Sequence, residues 1–187
     1  MWSADPVQQQ SWQELGISGV LPPDALMLAL LNRGGNKLDS YMIVKADIDV
    51  ERIEAGRNRV TVEVTMENQA PEWLPTYVAG PVEGSGGVAG EYVGILALSI
   101  PGSATEPTNS ANGWAVIGDD GPTRVIGSNV SIPRGTALTV TFGFELPERE
   151  DQLVVVPGAR EPATSWTAGP MRWSEQRPIT VALDGFG

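Results

Sequence analysis

The chain has 187 residues, 41% of them hydrophobic, and carries 12 basic against 23 acidic side chains for a formal charge of −11. That length suits one generous domain able to bury roughly 70% of the surface its unfolded form exposes. The acidity argues against nucleic acid and anionic membrane surfaces as partners, which need clustered Lys and Arg, and the absence of Cys and His excludes disulfides, thiolate zinc sites, thiol catalysis and histidine bases.

Asp5-Pro6 is a helix-start signal: Asp can cap free amides and Pro suits the first helical position. A short helix is predicted over about 5 to 15, closed by Gly16 in the left-handed conformation. Leu21-Pro22-Pro23-Asp24 is a connector, and the apolar run Ala25 to Asn32 has the length of a strand. It is far shorter than the roughly 20 apolar residues of a transmembrane helix. With no basic region before it, it does not read as a signal peptide either.

Arg33 to Lys37 is a turn-rich break leading into the first of four segments that alternate apolar and polar residues: Met42 to Val50, Val60 to Met66, Tyr92 to Ile100 and Leu138 to Leu146. Strands point successive side chains to opposite faces, so each segment predicts one buried and one wet face. The first two are expected to form a hairpin over Gly56-Arg57-Asn58. Gln69 to Ala89 is irregular and rich in Pro and Gly, either a packed crossing loop or a functional one. Pro101 to Asn112 reads as a polar loop, Trp114 to Ile117 and Thr123 to Gly127 as a hairpin with Val130 to Ile132 continuing it, Leu153 to Val156 as a short strand, Glu161 to Trp173 as loop, and Ile179 to Leu183 as the closing strand. Many short strands without βαβ alternation predict an all-β fold: an immunoglobulin-like antiparallel β-sandwich with a short N-terminal helix. Residues 1–23 are read as the helix and connector packed on the sandwich, and 24–187 as the sandwich itself.

Four blocks carry a family resemblance: Arg33 to Tyr41, with Asn36-Lys37-Leu38-Asp39 its most specific element; Glu67 to Pro71 with Leu74 to Val78; Gly90 to Leu98 with Pro101; and Ile132 to Thr136 with Phe142 to Pro147. Together they resemble the C-terminal part of the bacterial, mostly actinobacterial, domain of unknown function 4012 family, from about Trp2 to Leu183. Its members are typically larger, with an N-terminal transmembrane helix and an extracytoplasmic body. The resemblance implies an extracytoplasmic module of a cell-envelope protein, tethered to the membrane through an N-terminal segment absent from this chain, with no membrane contact of its own. It carries over no catalytic residue.

Candidate binding residues are Asn36, Lys37, Asp39, Tyr77, Trp114, Trp166 and Trp173. Asn36 and Asp39 could hydrogen-bond a sugar or a partner chain, or satisfy loop amides after the Gly34-Gly35 pair. Exposed aromatic faces stack on sugar rings and anchor protein partners, whereas buried ones lid a core. Asp47 and Asp49 lie on one wet face about 7 Å apart, and Asp119-Asp120-Gly121 sits in a turn; both read as solvated acids more readily than as cation sites. Glu148, Glu150 and Asp151 form a charged turn rather than a glycosidase pair. No cofactor is expected. The function read from these features is non-catalytic recognition of envelope polysaccharide or a protein partner through end loops. The alternatives are a structural spacer and a carboxylate- or metal-dependent hydrolase.

Overall fold

The computed structural model describes residues 3–14, 19–53, 56–81 and 87–185. It is an all-β sandwich with one short N-terminal helix, α1 (Pro6–Glu14). Asp5 caps this helix, its carboxylate accepting from the amides of Val7 at 2.9 Å and Gln8 at 3.2 Å. Leu15 and Gly16, the expected helix end, lie outside the described residues.

The strands are β1 (Ala25–Asn32), β2 (Met42–Ile53), β3 (Arg57–Asn68), β4 (Tyr92–Pro101), β5 (Thr105–Asn109), β6 (Val116–Asp120), β7 (Thr123–Ile132), β8 (Ala137–Pro147), β9 (Gln152–Val155), β10 (Ser165–Ala168), β11 (Met171–Ser174) and β12 (Ile179–Ala182), with one turn of helix, α2 (Thr76–Ala79), before β4. They form two six-stranded sheets, ordered β12-β9-β1-β4-β7-β6 and β11-β10-β2-β3-β8-β5. The core is built from the apolar halves of the alternating segments. Met42, Val44, Ala46, Ile48 and Val50 of β2 face Leu26, Leu28 and Leu30 of β1 and their sheet neighbours in one continuous cluster. No described residue of α1 belongs to that cluster, and Val7 is exposed.

Three expectations need correction. Glu161 to Trp173 is not simply loop: β10 and β11 form a hairpin there, joined by Gly169-Pro170 with Gly169 at φ 53°, the first-position glycine a tight two-residue hairpin wants. Pro101 to Asn112 contains β5, an edge strand with a register break between Thr105 and Thr108 and Glu106 at φ 50°. Pro107 is tolerated there because an edge strand can spare a donor. Finally, two pairings are parallel, β1 with β9 and β2 with β10. Parallel neighbours need a long crossover rather than a tight turn, and turn signals cannot reveal them.

Candidate functional site

Register places the connections 33–41, 69–81, 87–91 and 133–136 at one end of the sandwich, since Met42 pairs with Asn68, Asn32 with Gly94 and Tyr92 with Ile132. The Asn36-Lys37-Leu38-Asp39 block lies here and turns most of its polarity inward. Asn32 Nδ2 donates to Asn36 Oδ1 and Asp39 Oδ2, both at 2.9 Å. Asn36 Nδ2 donates to the Glu91 carbonyl at 2.9 Å, and the Tyr92 hydroxyl to Asp39 Oδ1 at 3.2 Å. Leu38 is buried and anchors the turn. Arg160 adds a cation beneath it, Nη2 donating to the carbonyls of Asp39 at 3.3 Å and Met42 at 3.0 Å. Burial raises the Tyr92 pKa far above its ordinary value, with the Asp39 carboxylate adding to the shift. Burial likewise lowers that of Arg160, against the pull of Tyr92, Asp39 and Glu175.

Lys37 behaves differently. Its amide donates to the Val78 carbonyl at 2.9 Å, while its ammonium stands 5.4 Å from the centre of the Tyr77 ring. Tyr77 is 72% exposed, and Trp73, four residues earlier on the same segment, is 77% exposed. The segment is pinned from behind by Asn68, fully buried, which donates to the carbonyls of Gly90 at 2.8 Å and Ile132 at 2.9 Å and accepts from the Ala70 amide at 3.1 Å.

The other aromatic candidates pack on the core. Trp114 is part-buried and stacks on Phe142 with centroids 6.5 Å apart. Trp166 is buried, stacks on the half-buried Trp173 at 6.2 Å and 7°, and donates Nε1 to Glu175 at 3.3 Å. Asn36, Lys37, Asp39 and Tyr77 therefore share one end, Trp166 and Trp173 share a hairpin, and Trp114 stands apart. Trp73, the most exposed large apolar side chain among the described residues, is the member of this end that the candidate set omitted.

The acidic candidates are dispersed. Asp119 pairs with Arg124 at 3.0 Å, Glu148 with Arg52, and Glu150 with Arg149 at 3.9 Å. Among the described residues no three carboxylates converge as a cation site would require.

A further cavity lies elsewhere, an open groove of about 780 Å³ on the outer face of the second sheet. Two cross-strand rows floor it. One runs Ser174, Ser165, Lys45, Thr65; the other runs Arg172, Thr167, Asp47, Glu63. Thr65 and Thr139 hydroxyls bond at 2.9 Å, and the Thr167 hydroxyl donates to Asp47. The Asp47 pKa is raised, first by burial, then by Glu63 and Asp49, with Arg172 pulling it down. Sequence reasoning missed this groove because one wall is the β10–β11 hairpin. The available signal was the alternation of Ser165 and Thr167 against Trp166 and Ala168 beside Gly169-Pro170.

No protein-family description, curated protein or solved structure matches the chain. Among the described residues no helix is long and apolar enough to cross a membrane.

Proposed function

We propose that this domain is a non-catalytic recognition module of an extracytoplasmic, membrane-tethered cell-envelope protein. It contacts envelope polysaccharide or a protein partner through the loops at one end of the sandwich. The observation that carries the reading is the exposure of Trp73 and Tyr77 on a segment whose backbone is held at Ala70 by the buried Asn68 and at Val78 by Lys37. Large aromatics on rigid backbone offer contact area at little ordering cost, which is what anchors at interfaces share. The Lys37 ammonium over Tyr77 adds a donor beside an apolar face.

The test is a titration of the 187-residue chain with fragments of bacterial cell-wall polysaccharide, followed by amide NMR shifts and tryptophan fluorescence. Saturable shifts at Trp73, Tyr77 and Lys37, abolished in Tyr77→Ala, support the end as a polysaccharide contact. Absence of shifts there, together with no capture of an envelope protein that depends on Trp73 and Tyr77, leaves the spacer reading instead.

A further inference from the structure

We infer that the groove on the outer face of the second sheet is a second binding site, for an uncharged polyhydroxylated chain, a neutral oligosaccharide. It lies on a different surface from the aromatic end and does not depend on that reading.

The first argument is unspent hydrogen-bonding capacity. Further along this face several charges are paired: Arg59 lies 3.6 Å from Glu51 and 3.2 Å from Glu145, and Arg57 is 3.2 Å from Glu145. Inside the groove the side chains of Lys45, Glu63 and Arg172 make no hydrogen bond or ion pair with any described residue. Asp47 and Glu63 are direct cross-strand partners, an arrangement of like charges that costs stability and that donors from a ligand would relieve.

The second argument is charge. Two cations, Lys45 and Arg172, and two carboxylates, Asp47 and Glu63, leave the groove with no net formal charge on a chain of −11. Interleaved carboxylates repel a phosphate or other anion; the two cations repel a polyamine. Acceptor-only, donor-only and hydroxyl groups all stand on the floor, and a sugar hydroxyl both donates and accepts, so it can satisfy all three kinds. Ala46, Trp166 and Trp173 also line the groove; with the stems of Lys45 and Arg172 they give a sugar ring apolar contact beside the polar rows.

The third argument is size. The volume lies within the range of ligand sites. The four adjacent strands that line it, β11, β10, β2 and β3, lie about 4.8 Å apart and span roughly 14 Å, the reach of a short run of linked sugars rather than one.

The test uses the whole chain with cellohexaose, maltohexaose, chitohexaose and mannohexaose at millimolar concentration, with inorganic phosphate and spermine as charged probes. Amide NMR locates the shifts, and the Trp166–Trp173 stack under the groove wall supplies a fluorescence signal. The expected result is saturable binding of at least one hexasaccharide, centred on Lys45, Glu63, Thr65 and Arg172. Glu63→Ala or Arg172→Ala should weaken it about tenfold, with circular dichroism unchanged, and Tyr77→Ala should leave it intact. Preferential binding of phosphate or spermine, shifts confined to Trp73 and Tyr77, or no groove shift with any of the four sugars overturns the inference; the second of these would leave the aromatic-end reading standing.

Discussion

The Tyr92 hydroxyl donates to the Asp39 carboxylate at 3.2 Å, joining the first residue of β4 to the turn before β2. Burial, and then the neighbouring negative charge, raise the Tyr92 pKa. The folded state therefore holds a proton that the unfolded state releases near its ordinary value of about 10. This contribution to stability is complete below that value and is lost as pH rises through it and on toward the raised folded value. In an alkaline titration read by phenolate absorbance, Tyr92 should ionise only as the protein unfolds. Three phenolates appearing while near-ultraviolet circular dichroism stays native would contradict this. Tyr92→Phe should cost about 1 kcal/mol.

Asn68 satisfies two carbonyls and one amide within the sandwich end. Asn68→Ala strands those groups without water, at about 2–3 kcal/mol. Urea denaturation should show a lowered midpoint with an unchanged slope; a loss under about 0.5 kcal/mol would mean the end is not held this way.

The aromatic candidates should separate by stability. Trp73→Ala and Tyr77→Ala, at exposed positions, should each change unfolding free energy by about 0.5 kcal/mol or less, with up to about 1 kcal/mol more if the Lys37 contact to Tyr77 is strong. Trp166→Ala, in the core, should cost about 3–5 kcal/mol. Equal losses at all three positions, measured by chemical denaturation, would place Trp73 and Tyr77 in a packed environment.

Asp47 carries a raised pKa through burial, Glu63 and Asp49. A carboxyl whose folded pKa is raised favours folding when protonated, below its ordinary value of 3.8, and that advantage disappears as pH rises through the folded value. Asp47→Asn should therefore melt higher relative to the parent at neutral than at acid pH. The effect is modest because the side chain is exposed and screened. A difference in melting temperature that is flat with pH would show that burial and the neighbouring carboxylates of Glu63 and Asp49 do not raise the Asp47 pKa.

How much was legible follows from burial. β2, β3, β4 and β8 have one face in the core, so Val44, Val62, Leu98 and Phe142 leave a period-two trace in the sequence. β5 and the β10–β11 hairpin are short edge elements whose Pro107, Gly169 and Pro170 read as punctuation. The inward role of Asn36 and Asp39 was open in the sequence because a loop Asn looks the same whether it meets solvent or Glu91. The hairpin wall of the groove left a trace in the alternation of Ser165 and Thr167, but the groove itself did not: Lys45, Thr167 and Arg172 become neighbours only through the parallel pairing of β2 with β10.

That same pairing, with its counterpart between β1 and β9, sets an order on assembly. Thr167 reaches back 120 positions to Asp47, and Gln152 reaches back 128 to Asp24. During synthesis β1 and β2 thus each present one open hydrogen-bonding edge until the last third of the chain emerges to cover it. Contacts this distant in sequence slow folding, and uncovered edges recruit strands from other molecules. The two C-terminal ribbons are the clasps that end this vulnerable interval, one for each sheet.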